Sequence, residues 1–594
     1  MSAPAANNDG MGSLLYPDGT CRFRVWAPFA QSVQVMGDFT GWNNAPVNLA
    51  PEGTSGNWSA DGIPVTAGQM YKYLITNQGQ VLQRTDARAL QVQSSSAASA
   101  GYVVGPFPAN RQPFQTPAFQ NFLIYQLHVG SYAGRNDGIT VQANTATFLD
   151  LIDKLGYIRG LGFNAIALLP ITDAYCDVGG AGEGYGPSDM FASEDEYSSD
   201  PSRAVAELIQ LIDSAHAAGL AVILDVVYNH AATIDNRYWQ YDGNTAGGGG
   251  IYFVDGHDTR FGSGFAMWQE QVKDFFLDNA RLYLRDYRVD GLRFDAVQFI
   301  QPDAVEYIVN SLRAEFPDKY LIAEYNPGDY QSASAWVDPY GVLGFCATWA
   351  LGSPGDTFNL LAGNDVTNLL LNRIGGFSDP NPWHQITYLT GSHDQVYGGM
   401  NSGGMFFTAR FGGRGNGWAR AKARLAWAFN AALPGTPMLF MGTEGHLDGY
   451  WDPNIDNGDR RIDWLQIGDS LGSPMQQMVR DVNNLRWSHA ALRSPAGNVV
   501  HTDQQNQVVG FKRYTMDGDV VLVVVNAGNS QWSAGDYAVD MGGESGTWME
   551  IFNSQAPVYG GIGTVGNYGY AIQVSNGSLS INLPSWAVLI FHKH

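Results

Sequence analysis

Val289-Asp290-Gly291-Leu292-Arg293-Phe294-Asp295-Ala296-Val297 reads as a short buried strand that delivers one carboxylate to its C-terminal end. Side chains alternate along a strand, so Arg293 and Asp295, two residues apart, share one face. A charge pair pointing inward from an apolar strand is either a structural ion pair or part of a reactive site. The segments around it decide between the two.

Those segments alternate between strand and helix, the pattern of βα units on a parallel sheet. Phe122 to His128 is a predicted first strand, Thr147 to Arg159 a helix, and Phe163 to Pro170 a second strand, nearly continuous in apolar residues as buried parallel strands are. A Gly-rich excursion containing Gly184-Tyr185-Gly186-Pro187 follows. Next come a helix from Ser202 to Ala218, a third strand from Ala221 to Val227 running into Tyr228-Asn229-His230, and a helix from Trp268 to Tyr287 that enters the opening stretch. Tyr320 to Ala323, followed by Glu324-Tyr325-Asn326, is the fifth strand. Val342 to Ala347, Ile386 to Thr390 and Pro437 to Met441 complete eight units, which predicts a (β/α)8 TIM barrel. Gly247 to Gly250 reads as a flexible loop tip, either a lid near the site or, more simply, a turn.

On either side of the barrel the pattern is short alternating strands with Gly, Asn and Pro between them. Cys21 to Trp26, Val33 to Met36, Trp58 to Ala60 and Met70 to Ile75 precede it; Gln507 to Tyr514, Val520 to Asn526 and Ala587 to Phe591 follow it. The predicted class is a multidomain chain. Its parts are a flexible N-terminus (1–13), an N-terminal β-sandwich (14–105), a Pro-rich linker (106–121), the barrel with long loop excursions (122–495) and a C-terminal β-sandwich (496–594).

Composition narrows the partners. A formal net charge of −23 over 594 residues would repel nucleic acid and anionic membrane, whereas a neutral substrate is compatible with it. The 16 Trp and 29 Tyr are a hint of platforms for sugar rings, although most aromatics are core. Three Cys, at 21, 176 and 346, have no CxxC spacing, so neither a disulfide framework nor a zinc site is indicated. Without a signal-like N-terminus or an apolar run long enough to span a membrane, the chain is expected in the cytoplasm, as a monomer.

Asp225, Asp295, Glu324 and the pair His393-Asp394 each fall at or near the C-terminal end of a different predicted strand, where barrel active sites are built. Acids converging there, with Arg293, His230 and His393 beside them, supply a nucleophile, a proton donor of raised pKa and a charge to orient a sugar, as glycosidic chemistry requires. A metal cluster is the rival reading. No HExxH occurs, the only HxH is the tail His592-Lys593-His594, and Arg293 would oppose a cation.

Asp225-Val226-Val227-Tyr228-Asn229-His230, Gly291-Leu292-Arg293-Phe294-Asp295, Ala323-Glu324 and Ser392-His393-Asp394 resemble, in order and spacing, the four signature regions of the α-amylase superfamily. The resemblance implies Asp295 as nucleophile, Glu324 as general acid/base and Asp394 as the carboxylate that grips sugar hydroxyls. Asp225, His230, Arg293, His393 and the stacking Tyr185 would bind substrate, with Arg293 lowering the pKa of Asp295 to keep it ionised. Phe23 to Pro28, Val35 to Asn43 and Tyr71-Lys72-Tyr73 resemble the N-terminal sandwich of glycogen branching enzymes, with Trp26 and Trp42 expected to be packed. Ile124 to Ser131, Leu439 to Glu444 and Asn553 to Gly561 are also similar to those enzymes. Trehalohydrolases of maltooligosyl-trehalose are the next most similar group. Tyr325 departs from the branching pattern, which usually has a second acidic residue there. The implied substrate is an α-1,4-glucan, no cofactor is expected, and no metal is expected even though some amylases ligate calcium through the Asn matching Asn229.

Overall fold

The computed structural model describes residues 10–594 except 97, 134–144, 175–182, 255, 260, 326–343, 350–370, 372–373, 375–383, 400–402, 454–460 and 562–564. Eight strands come first: β1 (Gly12–Leu15), β2 (Thr20–Trp26), β3 (Ser32–Gly37), β4 (Val47–Pro51), β5 (Asn57–Pro64), β6 (Met70–Asn77), β7 (Gln80–Arg84) and β8 (Gly101–Tyr102). They pair antiparallel in the order β1-β2-β5-β4-β3-β6-β7, with β8 on β6. In β2 every second residue, Cys21, Phe23 and Val25, is buried. Phe23 meets Tyr71 of β6 edge-on with ring centroids 4.9 Å apart, so β2 and β6, separated by three strands in the sheet path, face each other across one core. Trp58 is anchored by its indole N–H to the Ala27 carbonyl, and Trp26 packs edge-on against Tyr252 of the barrel loops.

The barrel closes from eight parallel strands: β9 (Ile124–Leu127), β10 (Ala165–Leu168), β11 (Ala221–Val226), β12 (Gly291–Phe294), β13 (Tyr320–Ala323), β14 (Ala347–Trp349), β15 (Gln385–Thr387) and β16 (Thr436–Phe440), with β16 returning to β9. Ile124, Ala165, Ile223, Ile322, Ile386 and Met438 fill its lower interior. Above them lie Gln126, Asp225 and Arg293, a polar layer toward the strand ends. Gly291 is needed at its place: a Cβ there would stand 2.7 Å from the Tyr320 carbonyl oxygen on the neighbouring strand.

The last strands, β17 (Gly497–Asp503), β18 (Val508–Tyr514), β19 (Val520–Asn526), β20 (Trp532–Asp540), β21 (Thr547–Asn553), β22 (Ala571–Gln573), β23 (Ser578–Leu583) and β24 (Ala587–Lys593), form a six-stranded sheet, β17-β18-β19-β24-β21-β22, facing the pair β20-β23. Leu522, Val524, Leu589 and Phe591 meet Val539 and Ile581 in a separate core, while Phe511 on the other face reaches Phe429 of the helix Gly417–Ala432. Thus both faces of the sheet are covered at its centre, and the central strands β19 and β24 read as near-continuous apolar runs.

The predicted fold class holds, and several element boundaries differ. The helix read over Thr147 to Arg159 is two helices, Phe148–Ile152 and Leu155–Gly160. Phe148, Leu151, Leu155 and Ile158 are buried on one continuous stripe, so the break leaves the apolar period in phase and invisible to pattern. The helix read to Tyr287 is α-helical over Glu270–Arg281 and then widens into a π-turn, Leu282–Tyr287, ending at Arg288 with φ 66°. The fourth strand stops at Phe294, short of Asp295, and the sixth lies at Ala347–Trp349 rather than over Val342 to Ala347, of which 342–343 fall outside the described residues. β1 begins at Gly12, inside the stretch read as flexible, and residues 1–9 are not among those described.

The segment read as a linker packs closely on the barrel. Arg111 donates to the carbonyls of Asp286 and Tyr287, each at 2.8 Å, and Phe114 stacks on His216 at 4.2 Å. Those carbonyls lie at the end of the π-turn, where helix C-termini leave carbonyls without intrahelical partners. Gly247 to Gly250 forms hydrogen-bonded turns, with Gly248 donating to Thr245 and Gly250 to Ala246. Cys21 and Cys346 are free thiols; Cys176 lies outside the described residues. Among the described residues no helix is long and apolar enough to cross a membrane.

Candidate active site

Parallel register sets Asp225 of β11 beside Arg293 of β12, and Phe294 beside Ala323 of β13, so the residues just past those strands emerge side by side. Arg293, whose side chain is 4% exposed, is the hub. Its Nη1 lies 2.7 Å from Asp225 Oδ1 and 2.8 Å from Asp295 Oδ1, and its Nη2 lies 2.9 Å from Glu324 Oε2. Trp349 covers the guanidinium at 4.2 Å from the ring centroid. The cation among these carboxylates is therefore an arginine.

Each carboxylate has a second support. Tyr185 OH donates to Asp225 Oδ2 at 2.6 Å, Asn229 Nδ2 to Asp295 Oδ2 at 3.1 Å, and the Ala296 backbone N–H to Glu324 Oε2 at 2.8 Å. Ala296, the residue after Asp295, has φ 40° and ψ 51°, a left-handed conformation unusual outside glycine.

The histidine tautomers follow from the amides that hold them. Asn229 gives its NH2 to Asp295, so its Oδ1, 2.8 Å from His230 Nδ1, must accept, and the proton sits on Nδ1. For His393 the order is reversed. Gln126 accepts from the His393 backbone N–H and directs its NH2 at Nδ1 (3.2 Å), leaving the proton on Nε2, which faces Asp394 Oδ1 at 3.2 Å. Burial lowers both histidines to about 4, so both are neutral near pH 7. Tyr185 stacks flat on His393, with centroids 5.1 Å apart and planes 10° from parallel.

Burial raises the acids. Glu324 is pushed up to about 7 and Asp295 to about 6 by desolvation, which exceeds the lowering by Arg293 in each case. Asp225 also rises to about 6, despite Arg293 and the Tyr185 hydrogen bond. Arg293 does lower Asp295, as the resemblance implied, but burial outweighs it and leaves Asp295 above its ordinary value. One guanidinium faces three buried carboxylates, so one of them is driven to keep a proton, and Glu324 has the highest affinity for it.

These groups open into a cleft of about 570 Å³ that Asp295, Glu324, Asp394, His230, His393 and Tyr185 share. The structure thus gathers all the sequence-predicted residues at one end of the barrel, with Asp225 and Arg293 below the six that line the cleft. It adds residues that carried no expectation: Gln126, Trp349, Ala296, and Glu183, a cleft-lining carboxyl raised to about 7 by burial. A polar Gln at an inward position of an apolar strand was a signal for Gln126; no comparable signal marks the other three.

Three stretches of the chain match known protein families. Residues 10–89 match the model of carbohydrate-binding module 48 (isoamylase N-terminal domain), 139–245 the α-amylase catalytic domain, and 499–594 the α-amylase C-terminal all-β domain. The chain carries the domains of the α-amylase family, glycoside hydrolase family 13. The catalytic-domain match marks the chain as an enzyme. Similar relatives are the 1,4-α-glucan branching enzymes GlgB of Nitrosospira multiformis, 28% identical over 96% of this chain and 79% of the relative, and of Dechloromonas aromatica, 26% identical over 96% and 95%. Among solved structures, the catalytic module of the glycogen-degrading pneumococcal virulence factor SpuA superposes with a TM-score of 0.78 at 18% identity, covering 98% of this chain and 97% of that one. A Group B Streptococcus pullulanase in complex with maltotetraose gives 0.77 at 19%, covering 98% and 88%. At that identity the likeness to these structures concerns the fold.

Proposed function

We propose that the chain is a 1,4-α-glucan branching enzyme acting by retaining double displacement. The observation that carries the chemistry is the shared guanidinium: Arg293 binds Asp295 and Glu324 at once, fixing two carboxylates of different proton affinity at one cleft. Glu324 protonates the α-1,4 glycosidic oxygen while Asp295 attacks the anomeric carbon, giving a covalent glycosyl-enzyme. Asp394 takes sugar hydroxyls, Tyr185 offers its ring face, and neutral His230 and His393 hydrogen-bond the bound sugar. In the second step Glu324 removes the proton from a 6-hydroxyl of an acceptor chain, and an α-1,6 branch results. The choice of a glucan acceptor rests on the GlgB relatives, which match 92 to 96% of the chain. The reading includes action as a monomer in the cytoplasm on glycogen-like glucan.

Tyr325, placed next to Glu324 where the branching pattern usually has an acid, favours a second reading in which water is the acceptor and the enzyme is an α-1,4-glucan hydrolase. Incubation of purified protein with amylose, followed by proton NMR of anomeric signals, separates the two. Branching predicts new α-1,6 signals with few new reducing ends; reducing ends without branches overturn it.

A further inference from the structure

Far along the chain from the catalytic residues, three side chains from three elements converge. His489 caps the C-terminal end of the helix Gly472–Ser488, Asp519 lies in the turn that leads into β19, and His592 sits on β24 across from Val521. His489 Nδ1 and His592 Nε2 point at the same atom, Asp519 Oδ1, from 3.4 and 3.2 Å, and the imidazole centroids are 4.7 Å apart. The other carboxylate oxygen accepts the Ala491 backbone N–H at 2.9 Å, which fixes the direction of Oδ1.

Both contacts fall within hydrogen-bond reach, yet each is longer than the ~2.7–2.9 Å of a charge-assisted N–H···O⁻ bond. A tetrahedral ion bonded at about 2.0–2.2 Å keeps neighbouring ligand atoms about 3.3–3.6 Å apart, close to the observed spacing. All three ligand atoms lie within 4.8 Å of one another. The side chains are 19, 21 and 26% exposed, open enough for a hydrated ion to enter and keep a water as fourth ligand. His594, two residues on, brings a further imidazole 5.3 Å from that of His592. The net charge of −23 favours approach of a cation.

We propose that His489, Asp519 and His592 form a site for a divalent transition-metal ion of the zinc or cobalt type, tying the helix Gly472–Ser488 to the C-terminal sheet. Two nitrogens and one carboxylate oxygen suit such an ion better than calcium or magnesium, which prefer all-oxygen sets.

The test uses the full chain after treatment with a chelator and its removal. Cobalt(II) titrated into it gives the visible absorption of a low-coordinate ion, saturating at one equivalent. Zinc raises Tm. His592→Ala and Asp519→Asn each weaken binding by at least about tenfold, and Asp519→Asn still offers Ala491 an acceptor, so it reports on the ion without unmaking the turn. Glucan conversion by both variants stays at the starting level. Absence of stoichiometric binding, or binding unchanged in the two variants, overturns the site.

Discussion

The Ala296 backbone N–H donates to Glu324 Oε2 at 2.8 Å, so the residue that follows the proposed nucleophile holds the proposed acid/base. That contact needs the left-handed turn at Ala296, φ 40°, which directs the chain sharply away from β12. For an L-residue such a conformation costs about 1–2 kcal/mol. Ala296→Gly removes that strain but gains a comparable entropy of unfolding, so Tm and turnover should both stay near the starting values. Ala296→Val adds a β-branch in the same conformation, at a cost of about 1–3 kcal/mol. Differential scanning calorimetry should show a lower Tm, with a parallel fall in turnover; a fully active, equally stable Val variant would remove Ala296 from the account.

The proton affinities set a pH profile. Asp295 must be ionised and lies at about 6, while Glu324 must carry its proton and lies at about 7. Turnover should rise with pH through about 6 and fall above about 7, as a narrow bell belonging to the coupled pair. Glu324→Gln with an activated glycosyl donor that needs no proton should lose the alkaline limb of the first step. If that limb persists, it belongs to another group.

Asp295→Ala removes the atom that attacks carbon and should cut turnover by about four or more orders of magnitude with circular dichroism unchanged. An active Asp295→Ala would sink the mechanism.

Glu324→Gln bears on stability as well as rate. Burial raises the folded-state affinity of Glu324 from 4.5 to about 7. Between those values the unfolded chain has released the proton and the folded chain has kept it, so stability falls as pH rises. The variant cannot ionise and escapes that cost. Its Tm should exceed the parent's most clearly above pH 7, and the gain should vanish below about 4.5, a comparison made by thermal scans at several pH values. A gain that is independent of pH would contradict the linkage.

Gln126 fixes the tautomer of His393 through its hydrogen bonds to the His393 backbone N–H and Nδ1. Gln126→Leu leaves the ring free to place its proton on Nδ1 and withdraw the donor that faces Asp394. We expect kcat/KM to fall by about tenfold to a hundredfold, with the fold retained. An unchanged kcat/KM would show that the orientation of His393 comes from Tyr185 stacking alone.

Much of this was legible in the order of residues. Strand period, helix period and the recurrence of acids after apolar runs determine a βα barrel with Asp225, Asp295, Glu324 and Asp394 toward one end, because local alternation and repeated units are properties of the chain. The tight register of Arg293 and Asp295 on one face follows from period two alone. Tertiary structure decided what no local pattern holds. Whether Arg293 lowers or merely moderates the acidity of Asp295 depends on how deeply the cluster is buried and on Asp225 and Glu324 arriving from neighbouring strands, and burial won. The tautomers of His230 and His393 depend on amides fixed by contacts far apart in sequence, and His489, Asp519 and His592 meet only because helix, turn and strand pack together. Charges and protons answer to distance in space and to the dielectric around them, which a linear order of residues does not contain.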